Sequence, residues 1–544
     1  MRYSMTLAAA ALMAAGCAST APADRAAPER ATVPAITEAD LRLRLHAFAH
    51  DSMMGREAGT IGNVRGTDYI AREARRIGLQ PAGEDGTFFQ TVPLVLVSMD
   101  PGTRVGALSA QGGDLLPLLP PYFPFATSYD VQDADVVFGG WGELEPADAA
   151  GKVVLMAAAA PQQPPLGDWA ARYADAALLV IAVPQIPENL RDFLSQENAT
   201  LPPEAGERAA PAVLTTAAGA AALFGSPPVG SGVGGAGARR VSGSGGQRVR
   251  PVEAPARNVV AVLPGSDPTL RDEYVVIGSH NDHVGLTDAL LDHDSVRAHN
   301  AVVRPEGAQS PNRPPSEAEA ARIAEMRDRL SADGARPDSI HNGADDDGSG
   351  SMALLEIAER LRAAPPRRSV LFVWHTAEEL GMVGSRWFTD HPTRPIESMV
   401  AQLNIDMIGR GMEGDLPNGG MQYLQLIGSR RLSSELGNLV EDVNRTGGHG
   451  FAFDYQYDAT GHPQNIYCRS DHAMYARFGV PVTFFTTGVH PEYHQVTDEV
   501  EYISFPKLAA VTSFIADVAE TVADLDHRVV VDQPLPDPDA PCRQ

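Results

Sequence analysis

Five short runs in the second half of the chain set the tightest limit on its fold. They are NVVAVLPG from Asn258, YVVIGSH from Tyr274, SVLFVWH from Ser369, AQLNIDM from Ala401 and VPVTFF from Val480. Each is nearly continuous apolar sequence of strand length, and helical patterns such as SMALLEIAERLRAA, from Ser351, separate several of them. A strand with no polar face must be covered on both sides, which is the condition of the inner strands of a mostly parallel sheet. The expected fold is therefore α/β, with a mostly parallel or mixed central sheet flanked by helices.

The chain of 544 residues is too long for one ordinary domain. Residues 1–16 read as a signal peptide: Arg2 supplies the charge, Met5 to Ala15 a short apolar core, and small residues precede Cys17. Ala-Ala-Gly-Cys resembles a lipobox, so the chain is expected to be exported, periplasmic or outer-membrane-anchored, and to meet a membrane only through a lipid at Cys17. Residues 17–35 form an Ala/Pro-rich tether. Residues 36–100 and 251–527 make the catalytic domain and 528–544 a tail. The texture between 101 and 250 is different: Ala, Pro and Gly are frequent, and the strand-like runs ADVVFG, GKVVLMA, ALLVIAV and APAVLTT recur without acidic clusters. That reads as an inserted small domain. A second, polar insertion at 286–340 carries one helix, opened by a Ser316–Glu319 capping box.

The charge balance, 43 Lys+Arg against 69 Asp+Glu, has the wrong sign for a phosphate-binding surface, so nucleic acid is excluded as a partner. Three cysteines rule out a disulfide framework and leave a single Cys468–Cys542 pairing open.

Ligands of open α/β sheets bind outside the carboxyl ends of the strands, and there this sequence concentrates its awkward groups. YVVIG runs into Ser279-His280-Asn281-Asp282, SVLFVW into His375-Thr376-Ala377-Glu378-Glu379, AQLNI into Asp406, and VPVTFF toward HPEYHQVTD with His494. The loop HNGADDDGSG, His341 to Gly350, sets three aspartates in a row before a helix. Consecutive carboxylates repel, so a positive partner is required. Histidine nitrogens and carboxylate oxygens suit zinc, and two histidines with three acids suit a pair of ions sharing a bridging carboxylate.

These five clusters, in this order, resemble the co-catalytic di-zinc aminopeptidase family, which also contains glutamate carboxypeptidase, glutaminyl cyclase and the inactive transferrin receptor. The 101–250 segment resembles the protease-associated domain inserted in that family. The resemblance implies two zinc ions per chain, one held by His280, Asp346 and Asp406, the other by Asp346, Glu379 and His494. It implies a cis peptide between Asp346 and Asp347. Asp282 would orient His280, and Glu378 would be the general base toward a water shared by the ions. Tyr467 matches a tyrosine that polarises the substrate carbonyl. Relatives that brace this tyrosine with a disulfide carry cysteines where Asn465 and Arg469 stand here. The implied activity is that of an exopeptidase, an aminopeptidase before a carboxypeptidase, acting on peptides. The 286–340 insertion, lying between two ligands, is expected to form a lid that limits substrate size.

Other readings stand beside this one. Asp345, Asp347, Ser349, Gly350 and Glu356 fit a calcium-loop pattern, but RPDSIHNGA before them is not the entering helix such a loop needs. His490 competes with His494; the trailing Asp498 matches the family's His-x-x-x-Asp and favours His494. His283, His293 and His472 read as structural or as supporting groups behind the ligands. G-x-S-x-G occurs nowhere, which leaves a serine hydrolase without its motif. A non-enzymatic binding protein on the same fold is the alternative to an enzyme.

Overall fold

A computed structural model describes residues 32–544 apart from 119–127, 158–164, 187, 189, 192–195, 203–208, 305–306, 312 and 332–333. The signal segment and Cys17 lie outside the described residues. No helix among the described residues is long and apolar enough to cross a membrane.

All five apolar runs are strands of one nine-stranded sheet. Ser369–His375, Tyr274–His280, Met399–Ile405 and Val482–Thr486 lie side by side and parallel at its centre. Ala256–Leu263 runs antiparallel to Ser369–His375, and Tyr423–Ile427 antiparallel to Val482–Thr486. The sheet is therefore mixed, with a parallel heart. Alternation inside the runs explains their composition, since successive side chains leave a strand on opposite faces. Val275, Ile277, Val370, Phe372 and Trp374 pack with helices Glu38–Phe48, Ile61–Ile77, Gly350–Ala363 and Phe505–Ala523 on one face. Val276, Leu371 and Val373 pack with Phe388, Tyr475 and Phe484 on the other.

A buried charge knot ties three of these helices together. Arg44, 1% exposed, lies 2.5 Å from Glu356 and 3.1 Å from Glu73, and also contacts Glu359. The pull of Arg44 does not cancel burial, which pushes the Glu356 carboxyl up to about 7.

The 101–250 insertion folds around its own apolar clusters into an eight-stranded sheet whose inner strands include all four expected runs. A three-stranded sheet starts at Val95 and closes with Gln247–Pro251, so the excursion begins a few residues earlier than the change in texture. In the 286–340 insertion the expected helix is Glu317–Leu330, with the Ser316–Glu319 capping box formed. A second helix, His293–Val303, precedes it, and the hairpin Leu286–Asp292 with Pro337–Ile340 closes the base.

The three cysteines include one bonded pair: Cys468 and Cys542 are joined, tying the tail to the catalytic body across 74 residues of sequence.

Candidate metal centre

Parallel register brings the chemistry to one edge. His280 pairs with His375 across the sheet, and Ile405 with Phe485, so the chain continues past each strand at the same level. Asp406 follows the last residue of its strand, and Glu378 and Glu379 come three and four residues after His375. The acidic loop arrives there because Arg56 anchors it: the buried guanidinium donates to the carbonyls of Asn342 (2.6 Å) and Gly343 (2.9 Å) while stacking on Phe48. Gly343 has φ +53°, and a Cβ there would meet the Asp346 carbonyl at 2.3 Å, so only glycine fits this turn. The Asp346–Asp347 peptide is cis, as the resemblance implies.

All five expected ligands converge. His280 Nε2 lies 3.1 Å from Asp346 Oδ1 and 3.7 Å from Asp406 Oδ1. His494 Nε2 lies 3.2 Å from Asp346 Oδ2 and 2.8 Å from Glu379 Oε2. Asp346 thus turns one oxygen to each histidine. Ligands at zinc distances and tetrahedral angles stand ~3.3 Å apart, and these separations bracket that value. His494 Nε2, His283 Nε2 and Asp346 Oδ2 are buried with no hydrogen-bond partner among the described residues. Such groups are normally satisfied; here the donor set fits divalent cations.

The electrostatics lean the same way. Burial disfavours a charged His280, yet the pull of Asp346 and Asp406 outweighs it and lifts the imidazole well above its usual value. Burial works against ionised Asp346 too, but His280, His283 and His494 hold it well below the carboxylate range. Burial, followed by the charges of Glu379 and Asp471, pushes Glu378 well above it, against the pull of His280. Ala377, Met407 and His494, all flanking or supplying site groups, adopt left-handed backbone, the strained conformation that clusters at functional positions.

Neighbouring groups fix the ligands in place. Asp498 accepts from the backbone N–H of Asp345 (3.1 Å) and Asp346 (3.0 Å). Ser470 donates to Asp406 Oδ2 (2.8 Å) and accepts from Asn404. Asp347 accepts from the backbone N–H of Gly350, Met407 and His280 and also lies within ligand reach of His280 and Asp406.

The structure corrects several expectations. The Asp282 carboxylate does little for His280, lying 3.8 Å from Nδ1, which contacts the Asp282 carbonyl at 3.2 Å instead. Its two oxygens accept the backbone N–H of Glu378 (3.1 Å) and Glu379 (3.4 Å), so Asp282 positions the acidic pair. His283, read as structural or as a supporting group behind the ligands, reaches the site itself: its Nδ1 lies 2.8 Å from Glu379 Oε1 and 3.6 Å from Asp346 Oδ2. Only its spacing three residues after His280 could have pointed to it.

Tyr467 is not on the wall of the metal cleft. It packs in the apolar layer with Cys468 and Tyr475, under the Arg431 guanidinium, and lines a different cavity with the tail. Burial pushes its hydroxyl up to about 12. The cleft is lined instead by Tyr457 and Tyr493, with Met407, Ile466, Phe484 and Val489 making its apolar wall. Tyr493 stacks on His494 at 3.8 Å, and the charges it feels after burial are Asp346, Glu379 and Glu378.

The 286–340 insertion contributes no described residue to this lining. It buttresses the His494 segment from behind: Arg304 donates to the Pro491 carbonyl (3.0 Å), and Arg297 stacks on Tyr502 at 3.7 Å. The brace expected to be missing beside Tyr467 is supplied differently, by Cys468 bonded to Cys542.

A mixed α/β sheet gathers histidines and carboxylates at the carboxyl ends of its parallel strands, a donor set suited to metal ions. Residues 258–519, which contain all five expected ligand positions, match the model of Peptidase family M28. It is 28% identical over 173 residues to aminopeptidase YwaD of Bacillus subtilis, covering 30% of this chain and 34% of that one. It is 27% identical over 213 residues to aminopeptidase Y of Saccharomyces cerevisiae (36% and 37%), and 31% identical over 166 residues to leucine aminopeptidase 2 of Trichophyton equinum (28% and 30%). The chain thus spans between about a third and two-fifths of the length of the curated relatives it matches first. Among solved structures it is similar to an aminopeptidase from Aneurinibacillus sp. strain AM-1, at 17% identity and TM-score 0.47, covering 92% of this chain and 97% of that one.

Proposed function

We propose that this chain is a two-zinc exopeptidase, an aminopeptidase that removes N-terminal residues from peptides. One observation carries the reading: Asp346 presents one carboxylate oxygen to His280, which also reaches Asp406, and the other to His494, which also reaches Glu379, an arrangement suited to a carboxylate shared by two cations. The relatives named aminopeptidases support it. His280, Asp346 and Asp406 would hold one ion, and Asp346, Glu379 and His494 the other, with His283 beside the second. When bound, two zinc ions would make a water acidic enough to act as a nucleophile near neutral pH and polarise the scissile carbonyl.

The protein's own groups do the remaining work. Glu378 lines the cleft, and Asp282 fixes its backbone. Its carboxylate takes the proton of the attacking water. Burial and its acidic neighbours favour the protonated form it then holds, and it delivers that proton to the departing amine. On this reading Tyr493, which lines the cleft, would take the role expected of Tyr467. The apolar wall of Met407, Ile466, Phe484 and Val489 seats a side chain and excludes water.

Export with a lipid at Cys17, and a protease-associated role for residues 101–250, belong to the same proposal; membrane fractionation of the wild type against Cys17→Ser tests the first. For the activity, Glu378→Gln is expected to keep its zinc and lose peptide hydrolysis. A zinc-loaded Glu378→Gln protein with full turnover would sink the mechanism.

A further inference from the structure

One basic side chain in the cleft is left over by this account. Arg469 lines it, is exposed, and makes no hydrogen bond or ion pair from its guanidinium to any described residue. Other arginines in this acidic chain are drawn into carboxylate clusters, as Arg44 and Arg410 are, while Arg469 stands at the cleft without such a partner. Nothing else on the cleft wall is cationic.

Its mounting is rigid. The turn Ile466–Cys468 precedes it, and its own N–H donates to the Ile466 carbonyl at 3.0 Å. Cys468 on one side is bonded to Cys542, and Ser470 on the other donates to Asp406. The Cα of Arg469 is thus held between a cross-link and a hydrogen bond to a metal ligand, while its head group is free. It lines the same cleft as Asp346, Glu378 and Asp406, so it faces the reacting region. A fixed, unpaired guanidinium presents a planar fork to a carboxylate, and charge-assisted pairs of this kind are the strong ones. It disfavours a lysyl side chain in the place a carboxylate would take.

We infer that Arg469 selects substrates bearing a carboxylate beside the scissile bond. Two sources offer one: the side chain of an N-terminal aspartyl or glutamyl residue, or the free terminus of a dipeptide. The inference rests on the exopeptidase reading and names its substrate class.

The test compares zinc-loaded wild type, Arg469→Gln and Arg469→Lys on glutamyl-, leucyl- and lysyl-anilides, and on Leu-Gly against Leu-Gly amide. Wild type is expected to prefer the anionic member of one pair and to disfavour the lysyl anilide. Arg469→Gln should lower kcat/KM on that anionic substrate by about tenfold relative to its neutral comparator, chiefly through KM, with Arg469→Lys retaining part of the preference. Loss on the glutamyl anilide identifies a side-chain carboxylate, and loss on Leu-Gly a terminal one. Normal cleavage of leucyl anilide with both ratios unmoved overturns this inference and leaves the exopeptidase reading standing. If no substrate turns over, that reading falls, and calorimetric binding of glutamate against leucine to wild type and Arg469→Gln still decides: equal affinities in both proteins would refute the role of Arg469.

Discussion

Asp498→Asn is the most informative small change in this site. The carboxylate contacts no expected ligand side chain, yet it accepts the backbone N–H groups of Asp345 and Asp346, and its own carbonyl accepts from Ala344 at 3.0 Å. Asparagine keeps the volume and removes the charge. A hydrogen bond to a charged group contributes about 1.5–3 kcal/mol and a neutral one about 1 kcal/mol, so two weakened contacts amount to roughly 1–4 kcal/mol. Part of that is released in the loop that carries the bridging carboxylate. Changes to groups that orient metal ligands typically weaken metal affinity ~10–100-fold, or about 1.4–2.7 kcal/mol, which agrees with the bond estimate. The assay is zinc competition against a chromophoric chelator, with circular dichroism to verify folding. The expected result is at least about tenfold weaker binding, with hydrolysis recovering at saturating zinc. Unchanged affinity in a folded Asp498→Asn protein would refute the idea that the 344–347 loop is held in its binding geometry by Asp498.

Other outcomes follow from the rest of the fold. Arg44→Met leaves Glu356 buried without its partner, and should cost about 3–5 kcal/mol in urea unfolding; a change under about 1 kcal/mol would contradict the charge knot. His472 is buried, stacked on Phe484, and burial pushes its pKa down to about 3. Its folded value lies below the unfolded 6.5, so the native state binds fewer protons between those limits and loses stability as pH falls through that window. His472→Phe should flatten this part of the stability–pH curve, and an unaltered slope would remove the explanation. Reducing Cys468–Cys542 releases a closed loop of 74 residues, for which chain entropy alone predicts about 4.5 kcal/mol. The effect should appear first as hydrogen exchange in the tail, residues 528–544, and in the wall around Tyr457 and Arg469. Protection unaffected by reduction would count against the brace.

Much of this protein was legible in its sequence, and the limits are physical. Buried strands announce themselves because both faces must be apolar, so SVLFVWH and YVVIGSH could be placed in one sheet and their ends at one edge. The ligand set followed because His280, Glu379 and Asp406 stand just beyond such strands. The capping box at Ser316 was readable because it is local. What failed depends on directions that spacing does not encode. Asp282 alternates to the side of His280, yet the strand ends between them and its carboxylate turns to the Glu378 and Glu379 amides. Tyr467 sits at the expected distance before Ser470, but the turn Ile466–Cys468 points it into the apolar layer. The Cys468–Cys542 bond joins partners 74 residues apart, a contact no local pattern records. The 286–340 insertion lies between ligands in sequence but behind one of them in space.

The central claim is that Asp346 is shared between two cations. Crystals grown with zinc and measured at the zinc absorption edge test it most directly, because anomalous scattering locates the ions independently of any assumed ligand. Two peaks flanking Asp346, one beside His280 and Asp406 and the other beside Glu379 and His494, are the predicted result. No peak at Asp346, or a single ion held on one side of it at saturating zinc, would contradict the account.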